Sequence, residues 1–134
     1  MGDPFGEIER SDLLGFILAK DSEQPQTEPP IAANIHEQLQ HMGLTTWSLS
    51  VLRRLRDAIG RLQPTSLLEI GASIGHRTAW ILDDFERKGR VPHAFTLVEP
   101  GGKFGVILKR LLQRYDALSW SNVVVGDPAQ LAAE

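Results

Sequence analysis

Cysteine is absent from the 134 residues. Disulfides and thiolate metal sites are therefore excluded, and the chain is compatible with a reducing interior. No apolar run approaches the roughly 18 residues that a membrane-spanning helix needs. The N-terminus shows no basic stretch followed by an apolar core, so no secretory signal is expected. Positive charge is not in excess: 14 Lys and Arg face 17 Asp and Glu, a net charge of −3. That balance offers no broad basic footprint for nucleic acid. The expectation from these shortages is a soluble, cytoplasmic chain with neither membrane nor nucleic-acid partners. Hydrophobic residues make up 42 %, enough for a real core, and the length suits one domain.

The apolar spacing divides the chain into helices followed by alternating strands and helices. Residues 1–30 are expected to form an N-terminal helix and linker, the helix within residues 1–20 with Leu13, Leu14, Ile17 and Leu18 on its apolar face. A polar linker, DSEQPQTEPP, follows with three prolines. Residues 31–42 read as a helix closed by Gly43. His36 and His41 lie on it five apart, not at the i, i+4 spacing of a helical metal pair, and are expected to face solvent. Ser48 or Ser50 caps the next helix, which runs to Leu62 with Val51, Leu52, Leu55 and Ile59 as its stripe. Arg53, Arg54, Arg56 and Arg61 give it a basic, solvated side, and Pro64 stops it.

Residues 67–80, LLEIGASIGHRTAW, organise the rest. Leu67, Leu68 and Ile70 form a short apolar run, expected of a strand covered on both faces. Gly71 and Gly75 bracket a turn in which the missing Cβ lets the backbone bend and approach a ligand. A helix from His76 to Lys88 follows and aims its unpaired N–H groups at the same place. The spacing E-x-G-x-x-x-G is neither the dinucleotide fingerprint nor the P-loop, and no lysine follows the second glycine. Glu69 before the turn would repel a pyrophosphate. A ligand with a sulfonium, an amino group and a carboxylate for the helix N-terminus suits the turn better. The competing account is an ordinary strand–turn–helix with glycine for packing alone.

Residues 94–98 read as a second strand ending at Glu99, residues 103–115 as an amphipathic helix, and residues 122–125 as a third strand. Gly126, Asp127 and Pro128 then open a short helical turn. The order β-α-β-α-β, with right-handed crossovers, predicts a parallel three-stranded sheet with helices on both faces. Consecutive parallel strands bring Glu69, Glu99 and Asp127 to one sheet edge. An acid about 24 residues past the turn, at the end of the second strand, is placed to accept from ribose hydroxyls. Asp127 is placed to accept from the amine of adenine.

From Leu44 to its end the chain resembles the class I S-adenosylmethionine-dependent methyltransferases, and within them the catechol O-methyltransferase-like enzymes of small molecules. Glu69-Ile70-Gly71-Ala72-Ser73-Ile74-Gly75 matches their first motif, Val98-Glu99 their ribose-binding acid, and Val125-Gly126-Asp127 their adenine-lining segment. The resemblance implies α/β architecture: a Rossmann-like three-layer sandwich, here with a partial parallel sheet and preceding N-terminal helices, residues 31–134 forming the cofactor-binding domain. It implies S-adenosylmethionine as cofactor. Gly71, Ala72, Ser73 and Gly75 would wrap its methionine portion, Glu69 would fix its amino group, Glu99 its ribose and Asp127 its adenine. It also implies a small-molecule methyl acceptor.

Three departures stand out. Arg77 replaces a small hydroxyl residue after the second glycine, where it would pair with the ligand's carboxylate or point to solvent. Gly101, Gly102 and Gly105 crowd the segment beside Glu99. The resemblance implies about seven strands and this chain offers three, so the metal-binding acids, catalytic base and substrate pocket have no counterpart. His76 is the one candidate base beside the turn, and no residue pair has metal-ligand spacing. The first strand should then present an open apolar edge, and the expectation is either a homo-oligomer formed through it or a chain that is a piece of a longer enzyme. The alternatives are a non-catalytic cofactor-binding or assembly module and a nicotinamide oxidoreductase, the latter disfavoured by the glycine spacing.

Overall fold

The computed structural model describes Leu13, Gly15, Ile17 and residues 28–133. Most of the linker and most of the first expected helix therefore lie outside the described residues. The elements run α1 (Pro30–His41), α2 (Leu49–Leu62), β1 (Ser66–Ile70), α3 (His76–Lys88), β2 (Ala94–Glu99), α4 (Gly102–Arg114), β3 (Ser121–Val125) and α5 (Pro128–Ala133). The fold is mixed α/β, with three parallel strands in the order β1-β2-β3. No described helix is long and apolar enough to cross a membrane.

Local chemistry explains the boundaries. Ser48 caps α2 by accepting from the Val51 N–H, which satisfies one orphan donor of the first turn. Gly89 ends α3 in the left-handed region, at φ 66°, where a residue without Cβ carries no strain. Pro29 and Pro30 open α1, with Pro30 at its first position, where the missing N–H costs nothing.

The strands are in register so that Leu67, Phe95, Leu97 and Val123 face one side and Leu68, Thr96 and Val124 the other. Both crossovers join neighbouring strands in the same direction, so α3 and α4 pack on the same side. The core forms there. Leu52, Ile74, Trp80, Leu82, Phe95, Leu97, Leu108 and Leu112 are almost completely buried. Phe95 stacks near Trp120, with ring centroids 6.5 Å apart, and meets the edge of Phe85 at 6.4 Å. These offset and edge-on geometries suit aromatic quadrupoles. Trp80 packs within this core.

The opposite side differs from expectation. No helical layer among α2–α4 covers it, and β1 is a border strand. Leu68 is 59 % exposed and Ile70 55 %, whereas the apolar run predicted a strand buried on both faces. The same residues would be buried if another strand and layer lay against them. On this bare side Thr96 donates to Asn122 across β2 and β3 at 3.0 Å.

The basic side of α2 is also less solvated than expected. Arg54 is buried, and its Nε donates to the Ile17 carbonyl at 3.0 Å. Arg56 pairs with Asp57 and lies 5.5 Å from the Trp80 ring centroid. The methylene stems of these arginines cover apolar surface while their heads find partners.

Phe95→Ala removes the ring around which α3 and the Trp120 turn pack. Urea unfolding should show a loss of about 3–5 kcal/mol, against less than about 0.5 kcal/mol for exposed Lys109→Ala.

Candidate functional site

The loop between β1 and α3 is built by backbone that side chains adopt with difficulty. Gly71 has φ 73° and Gly75 φ 97°, and Ser73 between them has φ 55°. A Cβ on Gly75 would also run into Leu111 and Leu108 of α4, so the left-handed angle and the close approach both require glycine there. The Gly71 N–H donates to the Val98 carbonyl at 2.8 Å, and the Gly75 N–H to the Ala72 carbonyl at 3.0 Å. The loop therefore folds over the end of β2 before α3 begins. No side chain caps the N-terminus of α3, leaving its first N–H groups available to an anion.

Glu69 is buried, and both its oxygens have partners on α3. Arg77 Nε donates to Oε2 at 2.7 Å and Thr78 Oγ1 to Oε1 at 2.6 Å. Burial pushes the Glu69 carboxyl up from its ordinary value, against the opposing pull of the Arg77 charge and the Thr78 hydroxyl. Arg77 also donates to the carbonyls of Ile70 at 3.2 Å and Gly71 at 3.1 Å. Its guanidinium lies 4.6 Å from the Trp47 ring centroid. Arg77 thus neither points to solvent nor stands free for a ligand carboxylate. It clamps the start of the loop, and Glu69 is its counter-charge.

Glu99 ends β2 and is buried. Oε1 accepts from the Ser73 N–H at 2.9 Å and Oε2 from the Gly101 N–H at 2.7 Å. The carboxylate bridges the loop after β1 to the turn after β2. Of the glycines that crowd this segment, Gly101 serves that bridge, since a Cβ on it would lie 3.1 Å from Glu99 Oε2, while Gly105 gives room to Val125. Each oxygen keeps a second lone pair for another donor. Asp127 is placed differently from Glu69 and Glu99. It is exposed, and Oδ1 accepts from the Ala129 N–H at 2.8 Å, capping the short helix α5. The preceding residue joins it to the same edge, since the Gly126 N–H donates to the Glu99 carbonyl at 3.1 Å.

Gly71, Ala72, Ser73, His76 and Arg77 line a cavity of about 140 Å³ with Leu39 and the 45–47 connection. A larger cavity, about 390 Å³, opens at the other end of the strands between Ile59, Thr65, Asp84 and His93. It is lined by no residue of the loop between β1 and α3, whereas the smaller one is walled by that loop and is the candidate site.

His76 and His36 depart furthest from the sequence reading. Glu28 accepts from His36 Nδ1 at 2.5 Å through Oε1, and from His76 Nε2 at 2.6 Å and Trp80 Nε1 at 2.9 Å through Oε2. The second nitrogen of His76 lies 2.6 Å from Thr46 Oγ1. Both imidazole nitrogens of the candidate base are therefore engaged. His36 is half-buried rather than solvent-facing. Burial pushes the Glu28 carboxyl up, but the hydrogen bonds from His36, His76 and Trp80 outweigh it and hold the group below its ordinary value. Burial depresses His76, against the hydrogen bond and charge of Glu28. Glu28 lies eight residues before His36 and 48 before His76, so no spacing rule could find the cluster.

Arg77→Ala strands the buried Glu69 carboxylate and should cost about 3–5 kcal/mol in chemical denaturation. The double variant Glu69→Gln/Arg77→Ala should recover part of that loss, because it removes the orphaned charge. An additive double variant would mean that the two side chains are not coupled.

No family model matches the sequence, and no curated protein matches it. Solved structures do match the fold. A methyltransferase from Geobacter sulfurreducens superposes with a TM-score of 0.68 at 16 % identity, over 81 % of this chain and 55 % of that one. A protein assigned as an O-methyltransferase from Klebsiella pneumoniae gives 0.63 at 17 %, over 81 % and 49 %. One assigned as a caffeoyl-CoA O-methyltransferase from Staphylococcus aureus gives 0.60 at 16 %, over 76 % and 46 %. The chain spans about half the length of these structures. At such identities the likeness establishes architecture: the described residues have the Rossmann-like fold of O-methyltransferases.

Proposed function

We propose that this chain is the cofactor-binding half of an S-adenosylmethionine-dependent methyltransferase that acts on a small-molecule hydroxyl. The observation that carries the reading is the buried Glu99 carboxylate, tied to Ser73 and Gly101 at the mouth of the positive-φ loop. It has acceptor capacity left for a pair of ribose hydroxyls. Gly71, Ala72, Ser73 and Gly75 supply the wrapping backbone, and the uncapped start of α3 suits a carboxylate. Glu69 takes the ligand's amino group directly or through water, with the second lone pair that each oxygen keeps beside its bond to Arg77 or Thr78. Asp127 lies beside the adenine end.

The donor set fits this ligand better than a dinucleotide. The nearest cation, Arg77, is neutralised by Glu69, so the loop has no spare positive charge for a pyrophosphate. When bound, S-adenosylmethionine supplies an activated methyl group for in-line attack by a substrate oxygen, and the chain's part is positioning. A second reading, a binding or assembly module without turnover, draws on the state of His76. With one nitrogen on Glu28 and the other on Thr46, it is not free to take the substrate's proton.

Calorimetry with S-adenosylhomocysteine tests the reading. Binding is expected, and Glu99→Ala should weaken it roughly 10–100-fold, the worth of hydrogen bonds to a charged group. NADH binding in place of S-adenosylhomocysteine would overturn it. A methyl-transfer assay on this chain alone should give little turnover.

The bare border of β1 supports a second copy as partner. Leu68 and Ile70 are exposed beside unpaired strand backbone, and neither lysine nor proline guards Ser66–Ile70. Light scattering should report a dimer or larger, and Leu68→Lys should shift it to monomer. A monomeric wild-type chain would refute the association.

A further inference from the structure

We propose that Glu28, His36 and His76 form a binding site for a divalent transition metal of the zinc type. One ligand atom from each lies within 4.8 Å of the others. The three come from separate places: the segment before α1, the second turn of α1 and the first residue of α3. Two imidazole nitrogens and a carboxylate are the donor set that suits zinc and its neighbours. With bond lengths near 2.1 Å, ligand atoms of a tetrahedral site lie roughly 3.4 Å apart. The 2.5 and 2.6 Å contacts, made by different oxygens of Glu28, open and the widest separation, within 4.8 Å, closes as an ion enters.

The surroundings are those of a built site. Side-chain exposure is 8 % for Glu28 and 3 % for His76. His36, at 27 %, leaves an approach from solvent. Trp80 Nε1 donates to Glu28 Oε2 at 2.9 Å and orients the carboxylate. Thr46 Oγ1 sits 2.6 Å from His76 Nδ1. With a metal in place of the proton between Nε2 and Glu28, the Nδ1–H tautomer donating to Thr46 Oγ1 would leave Nε2 as the lone-pair donor, the arrangement in which a supporting partner selects the coordinating nitrogen. The two rings are tilted by 40° with centroids 4.8 Å apart, so both can turn toward one point above the carboxylate. A proton shared between imidazole and carboxylate would leave to solvent as the metal enters. Three protein ligands leave a fourth position for water.

The consequence is mechanical. The ion would join the segment before α1 to α1 and to the first residue of α3, directly beside the Gly71–Gly75 loop. His76 and Thr46 belong to the cavity wall as well as to the cluster. Metal would therefore brace that wall independently of what the cavity binds.

The test uses the whole chain, freed of metal by chelation, with Zn²⁺ or Co²⁺ alone as probe. The expected result is one ion per chain, a Zn²⁺-dependent rise in Tm, and visible absorption of Co²⁺ in a low-symmetry nitrogen–oxygen site. His36→Ala should weaken binding by at least the roughly 10–100-fold that loss of a mere supporting partner costs. His41→Ala, whose ring is exposed and lies 3.9 Å from Glu37, should leave binding unchanged. Circular dichroism of both variants checks that they fold. A wild-type chain that takes up neither ion overturns the site without recourse to any variant. Binding lost in His41→Ala but retained in His36→Ala overturns it equally. S-adenosylhomocysteine binding is read separately, so failure of one assignment leaves the other standing.

Discussion

A buried carboxylate at the end of β1 holds the first turn of α3 in place. Glu69 takes one hydrogen bond from Arg77 and one from Thr78, and Arg77 in turn covers the carbonyls of Ile70 and Gly71. Strand end, loop and helix start become one unit. Without that pairing the loop would carry orphaned carbonyls beside an unneutralised buried charge, a combination proteins rarely tolerate.

The second carboxylate extends the unit sideways. Glu99 reaches from β2 to the backbone of Ser73 and of Gly101, so two successive strand–helix turns share one anion. The left-handed angles at Gly71, Ser73 and Gly75 are held by these bonds. Pre-organised backbone of this kind lowers the ordering cost of binding. The same geometry explains why two acids are buried at this edge: both carboxylates shape the loop.

The apolar side of the sheet follows the opposite logic. Leu68 and Ile70 have the character of core residues and the exposure of surface ones. The matched structures are about twice as long as this chain, and a strand whose sequence suits burial stands here at the border. Hydrophobic patterning reports what a position favours, not what covers it.

Much of the architecture was legible beforehand. Two turns bounded by glycine and acid, three short β-branched or leucine-rich strands, and helices punctuated by Ser48, Pro64 and Gly89 follow from local rules with spans of a few residues. Those rules place Glu69 and Glu99 at neighbouring strand ends because parallel strands in succession must align. They do not say which way a side chain turns once there. Arg77 was placed by charge balance against a buried acid, Arg54 by a carbonyl 37 residues away, and His36 and His76 by a glutamate that precedes them by eight and 48 residues. Local sequence decides elements because their hydrogen bonds are local. The pairing of polar side chains is decided by which distant elements pack together, since each buried charge must find its partner across the core.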